Sequence, residues 1–119
     1  MYRSVLIVDD DPVFSSLVGR ILADLGVEAV AIAADARQAL DAVQDSRPDA
    51  VLVDVGLPDR DGIDLAYELA ELPWGPRIVV TSSDSEAFVA IEARAGQPTL
   101  PFIAKQELAG DSLRHALTL

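Results

Sequence analysis

Five times along the 119-residue chain, a short apolar run is followed by a stretch whose apolar residues recur at helical spacing. The first run, Ser4-Val5-Leu6-Ile7-Val8, is continuously apolar after its first residue and rich in β-branched side chains, the pattern of a strand buried on both faces. Asp11 then reads as a helix N-cap with Pro12 at the first helical position. Phe14, Leu17, Val18, Ile21, Leu22 and Leu25 follow at helical spacing, and Gly26 ends the helix. A second strand over 27–32 precedes Asp35, an N-cap with Gln38 three residues on, and Ala36, Ala39, Leu40 and Val43 form the next apolar stripe, closed before Pro48. The third strand, 50–53, delivers Asp54 at its end, and the turn 56–62 leads to a helix carrying Ile63, Ala66, Leu69 and Ala70. Trp74 lies in a loop between Pro73 and Pro76, and the fourth strand covers 77–81. Ser83 with Glu86 reads as a capping box for the fourth helix. A fifth strand over 100–104 and a last helix over 107–117 complete the series.

Strand alternating with helix predicts an α/β fold, a five-stranded parallel sheet doubly wound with five helices. Pro101 has no N–H for a ladder, so the fifth strand belongs at an edge. That selects the order 2-1-3-4-5, in which ligands bind at the carboxyl ends of the strands, where strands one and three diverge.

The remaining composition narrows the chemistry. A chain of this length makes one domain. Twenty acidic residues against nine basic ones give a formal net charge of -11, with no basic block to attract nucleic acid or an anionic membrane. No apolar run reaches the roughly 20 residues of a membrane span, and the four apolar residues before Asp9 are too few for a signal peptide. With no cysteine there is no disulfide framework or thiolate metal site, and a cytoplasmic location is expected. Eight of the nine basic residues are arginine, leaving Lys105 as the one compact ammonium.

Asp9-Asp10-Asp11 follow the first strand and Asp54 ends the third, so the proposed order brings carboxylates together. Carboxylates that close raise one another's pKa unless a cation intervenes, and a hard divalent ion, Mg²⁺ or Mn²⁺, suits an all-oxygen set. Thr81 and Ser82 at the end of the fourth strand offer hydroxyls, and Lys105 at the end of the fifth offers a point charge for an anion. Carboxylate, metal, hydroxyl and ammonium together describe phosphoryl transfer to an aspartate.

The segments Leu6-Ile7-Val8-Asp9-Asp10-Asp11-Pro12, Asp49-Ala50-Val51-Leu52-Val53-Asp54, Leu57-Pro58-Asp59-Arg60-Asp61-Gly62, Val80-Thr81-Ser82 and Phe102-Ile103-Ala104-Lys105 resemble, in order, the receiver domain of two-component response regulators, in the single-domain chemotaxis style. The resemblance implies a flavodoxin-like fold and one receiver domain over 1–119 with no output domain in the chain. It implies that Asp54 accepts a phosphoryl group from a sensor histidine kinase or phosphotransfer protein. Asp10 and Asp54 would ligate Mg²⁺ directly, Asp9 through water, and the Gly56 carbonyl would be a further ligand. Thr81 would swing toward the phosphoryl group, Lys105 would pair with it, and Phe102 would move into the vacated space. The face of helix four, strand five and helix five would then change its affinity for a downstream partner or a severed output domain. Catalysis would extend only to the domain's own phosphorylation and dephosphorylation.

Four positions depart from the family pattern. Gln106 replaces the usual proline after the lysine, Phe102 a frequent tyrosine, Gly56 offers no side chain to steer water, and 96–101 is long and holds two prolines. Asp11 and Asp61 read as cap or turn residues, His115 as an exposed helix residue, and Trp74 as packing remote from the site. Two other functions share part of this pattern: a receiver-like interaction module that takes no phosphate, and a haloacid-dehalogenase-type phosphatase with Asp9 as nucleophile. The second is disfavoured because Pro12-Val13 stand where Gly-Thr is typical.

Overall fold

The computed structural model describes residues 4–84, 86–94 and 96–118. In chain order the elements are β1 (Ser4–Val8), α1 (Pro12–Asp24), β2 (Glu28–Ala33), α2 (Ala36–Ser46), β3 (Ala50–Asp54), α3 (Gly62–Ala70), β4 (Arg77–Ser82), α4 (Glu86–Glu92), β5 (Phe102–Ala104) and α5 (Gly110–Ala116). All strand pairs are parallel, in the order β2-β1-β3-β4-β5. The expected topology is the observed one.

Alternating side chains of the strands feed two separate cores. Val5, Ile7, Leu52 and Val79 pack with Val18 and Leu22 of α1 and Leu113 of α5. On the opposite face Leu6, Val8, Val51, Val53 and Val80 pack with Ala39 and Val43 of α2, Leu65 and Leu69 of α3, and Ile91 of α4. Helices therefore cover both faces, and the polar groups the sheet supplies emerge at its ends.

Local chemistry sets most boundaries. Asp11 Oδ1 accepts the N–H groups of Val13 and Phe14 at 3.0 and 3.2 Å, capping α1. At the other end Gly26 takes φ +79°, and the N–H of Val27 reaches the Leu22 carbonyl at 2.9 Å, which closes a Schellman turn. Asp35 caps α2 through the Gln38 N–H, while the Gln38 side chain reaches back to the Ala34 N–H. A second carboxylate also holds this helix end: Asp59, from the loop after β3, accepts the N–H of Ala36 at 2.9 Å and of Arg37 at 3.1 Å.

Trp74 lies at the amino end of the sheet. Its indole N–H donates to the Pro48 carbonyl at 3.0 Å, and the Arg47 guanidinium lies 5.2 Å from its ring.

Three expectations need correction. The fifth strand covers only Phe102–Ala104 rather than 100–104. The last helix does not run over 107–117: Lys105–Glu107 form a 3-10 turn, Leu108 and Ala109 are extended, and α5 begins at Gly110. The Ser112 hydroxyl accepts the Ala109 N–H at 2.8 Å, a local bond that restarts the helix there. The capping box expected of Ser83 and Glu86 is not the observed pairing: the Glu86 N–H goes to Asp84 Oδ1 at 2.9 Å, and the Asp84 N–H donates in turn to the Ser82 hydroxyl. No peptide bond among the described residues is cis, including the one before Gln106.

Candidate functional site

The parallel register places the site. Val8 lies opposite Val53, Asp54 opposite Thr81, and Ser82 opposite Ala104. The residues that follow β1 and β5, Asp9 and Lys105, therefore emerge beside Asp54. Asp9 is held on both sides: its N–H donates to the Ala33 carbonyl at 2.9 Å, and its Oδ1 accepts the Asp11 N–H at 2.9 Å.

Asp9, Asp10 and Asp54 each bring a carboxylate oxygen into one group, with all three within 4.8 Å of one another. Asp9 and Asp54 are buried and Asp10 is exposed. Lys105 Nζ lies 2.7 Å from Asp9 Oδ2 and 3.5 Å from Asp54 Oδ2. Its ammonium also stands 4.5 Å from the centroid of the Phe14 ring. Asp11 and Asp61 cap helices, as the sequence suggests.

Burial pushes the Asp54 pKa above its ordinary value, and the Asp9 charge adds to that; Lys105 and the Gly56 N–H oppose it. Burial also works against the Lys105 ammonium. Its hydrogen bond to Asp9 and the charges of Asp54 and Asp9 outweigh that and hold its pKa above the ordinary lysine value. One cation thus faces a carboxylate trio that carries more negative charge than it can balance. Hard oxygen donors with excess negative charge fit a small divalent cation.

Thr81 and Ser82 are both buried at the end of β4. Ser82 Oγ accepts the Asp84 N–H, so that hydroxyl is engaged in the loop. Phe102 is half-buried, its ring centroid 6.0 Å from that of Phe88. His115 is exposed on α5 and Trp74 is far along the strands from the acidic group.

Two glycines of the β3–α3 connection differ in what they require. A Cβ on Gly62 would overlap the Asp54 carbonyl oxygen and come within 2.7 Å of Val55 Cα. A Cβ on Gly56 would meet only Asp54 Oδ2, at 3.8 Å. The first glycine is demanded by close approach, the second is not.

Two residues that meet the site or its loop were not singled out as such from sequence. Phe14 reads there as one of six apolar positions of a helix, and its place over the lysine depends on the first turn of α1 meeting the residue that follows β5. Asp59 reads as part of a turn; its partner helix is 22 residues away.

The comparisons agree with this fold. The family model for the response regulator receiver domain matches residues 5–117. An uncharacterised response regulatory protein of Vibrio cholerae is 34% identical over 111 residues, covering 91% of this chain and 42% of that protein. The chemotaxis protein CheY of Thermotoga maritima is 30% identical over 93 residues, 78% of each chain. The structure of a protein assigned as a response regulator in Chloroflexus aurantiacus superposes with a TM-score of 0.80 at 28% identity, over 100% of both chains. The chain spans less than half the length of several curated relatives it matches. No helix among the described residues is long and apolar enough to cross a membrane. Matched by the family model over residues 5–117 and folded with the sheet order β2-β1-β3-β4-β5, the chain belongs to the response regulator receiver domain family.

Proposed function

We propose that this domain is a phosphorylation switch in which Asp54 is the acceptor. The observation that carries the reading is the Asp9, Asp10 and Asp54 oxygen group with the Lys105 ammonium against the buried Asp54. A carboxylate oxygen of Asp54 bonds to phosphorus as the phosphorus–nitrogen bond of a donor's phosphohistidine breaks, and the departing histidine nitrogen keeps the electron pair and takes up a proton. Asp10 and Asp54 would hold Mg²⁺ directly, with Asp9 acting through water and the Gly56 carbonyl as a further ligand. The metal, when bound, neutralises charge that develops on the phosphoryl oxygens. Lys105 stands where it can leave Asp9 and pair with such an oxygen, and Thr81, in register with Asp54, supplies a hydroxyl.

The donor is a sensor histidine kinase or phosphotransfer protein. Helix α1, beside the acidic group, presents Val13 and Leu17 to solvent and is the face it would meet. On the output side, inward movement of Thr81 makes room for Phe102, which draws its ring away from Phe88 of α4. The face of α4, β5 and α5 then engages a downstream protein or an output domain. Catalysis is limited to the domain's own phosphorylation and dephosphorylation.

Intact mass after incubation with acetyl phosphate, with and without Mg²⁺, tests the reading, with beryllofluoride binding measured alongside. A Mg²⁺-dependent gain of one phosphoryl group, absent in Asp54→Asn, is expected. Equal uptake by Asp54→Asn and the wild type, or neither uptake nor beryllofluoride binding by the wild type, overturns it.

A further inference from the structure

Among the described residues the Lys105 ammonium has two carboxylates and an aromatic ring for neighbours, and they differ in kind. Asp9 Oδ2 at 2.7 Å and Asp54 Oδ2 at 3.5 Å are carboxylates that a divalent cation or a phosphoryl group would compete for or consume. The third, the Phe14 ring at 4.5 Å, has no lone pair to give a metal and no site to be phosphorylated. Its face attracts an ammonium through the ring quadrupole, most strongly where water is excluded, and the Lys105 side chain is only 17% exposed.

The ring's position is built in. Phe14 is on the first turn of α1, its N–H held by the Asp11 cap at 3.2 Å. Its half-buried side chain packs against the core shared by α1 and α5. The acidic loop and the aromatic ring are thus fixed by the same cap. When the carboxylates change partners, Phe14 is the neighbour of Lys105 that does not.

We propose that Phe14 is a positioning residue for phosphoryl transfer, a fixed seat that keeps the Lys105 ammonium beside the reacting oxygens while Asp9 and Asp54 exchange partners. This rests on the reading of Asp54 as phosphoacceptor. Without the ring, the ammonium settles on Asp9 and is withdrawn from the incoming group. In the reaction followed below, a carboxylate oxygen of Asp54 bonds to phosphorus and the phosphorus–oxygen bond of acetyl phosphate breaks, releasing acetate.

Phe14→Leu removes the ring face and keeps an apolar side chain for the core; Phe14→Tyr keeps both. Because Lys105 is the only lysine, protein made with lysine ¹³C-labelled at Cε gives one side-chain signal. That signal should lie at a ring-current-shifted position in the wild type and Phe14→Tyr, and move toward the free-lysine position in Phe14→Leu. Phosphoryl uptake from acetyl phosphate should be roughly tenfold slower in Phe14→Leu, with Mg²⁺ affinity unchanged, and restored in Phe14→Tyr. An unmoved lysine signal, wild-type uptake in Phe14→Leu, or a slow Phe14→Tyr each overturns the proposal. A wild type that takes no phosphate removes the acceptor reading as well, an outcome distinct from a labelled wild type and an indifferent Phe14→Leu.

Discussion

Asp59 Oδ1 accepts the backbone N–H of Ala36 at 2.9 Å, so the loop that follows the candidate phosphoacceptor also closes the end of a helix on the far side of β1. The same carboxylate takes the Arg37 N–H, and Asp35 satisfies a third donor of that helix end. Leu57 of the same loop is buried in the core that also holds Ala33, Ala36 and Ile63. The connection between β3 and α3 is therefore tied down outside the acidic group as well as within it.

That tie depends on charge. The Ala36 hydrogen bond, with the Arg37 bond behind it, holds the Asp59 pKa below its ordinary value of 3.8. A carboxylate whose pKa is lowered by folding contributes stability above its unfolded pKa and loses it as pH falls through the folded one. Asp59→Ala should be less stable than the wild type at pH 7 in urea unfolding, and the gap should shrink below pH 3.8. A gap that stays constant down to pH 2.5 would show that the ionised form is not what holds α2.

The two glycines of the same connection should respond unequally. Gly62→Ala forces a Cβ onto the Asp54 carbonyl, and overpacking against backbone typically costs about 1–3 kcal/mol. Gly56→Ala meets only Asp54 Oδ2 at ordinary contact distance and should fold with near wild-type stability. Urea midpoints of the two variants check this. Similar losses in both would mean that the approach of α3 to β3 relaxes more readily than its backbone contacts imply.

Mg²⁺ should stabilise the fold, because a ligand bound by the native state alone adds to unfolding free energy. At about 100 times its dissociation constant the gain is about 2.7 kcal/mol. Asp10→Asn removes a proposed ligand from the exposed side of the group and should lose most of that gain while unfolding normally in chelator. Denaturation with and without Mg²⁺ reads both effects, and an equal Mg²⁺ gain in the variant would remove Asp10 from the ligand set.

Lys105→Arg keeps the charge and changes its shape. The planar guanidinium has to fit a space where the ammonium sits 2.7 Å from Asp9, 3.5 Å from Asp54 and 4.5 Å from the Phe14 ring. The expected outcome is continued phosphoryl or beryllofluoride binding with a weakened response of the α4, β5 and α5 face. Amide chemical shifts of Phe88, Phe102 and Ser112 before and after beryllofluoride report that face. Wild-type shift changes would mean that the solitary lysine reflects composition rather than geometry.

The sheet order and the meeting of Asp9, Asp10, Asp54 and Lys105 were legible because a parallel sheet gathers the ends of all its strands on one side. Once the strand starts are read, that gathering follows without knowledge of any side-chain contact. Contacts between elements distant in sequence were not legible in the same way. Asp59 has a turn residue's local pattern, and nothing near it in sequence names Ala36 as its partner. The break in the last helix was hidden for a different reason. The stretch from Glu107 to Leu117 has helical periodicity, while the Ser112 bond to Ala109 is one local alternative among many that such a residue can make. At α4, Asp84 and Ser83 are both good caps at adjacent positions, and only the path of the chain leaving β4 decides between them.

Trp74, hydrogen-bonded to Pro48 and stacked on Arg47, has one further consequence. It is the chain's only tryptophan and is anchored at the end of the sheet opposite the carboxylates. Its emission should follow loss of the native fold and ignore events at Asp54. Fluorescence and phosphoryl content can then be read from the same sample as independent signals, so a variant that is merely unstable is separated optically from one whose chemistry has failed.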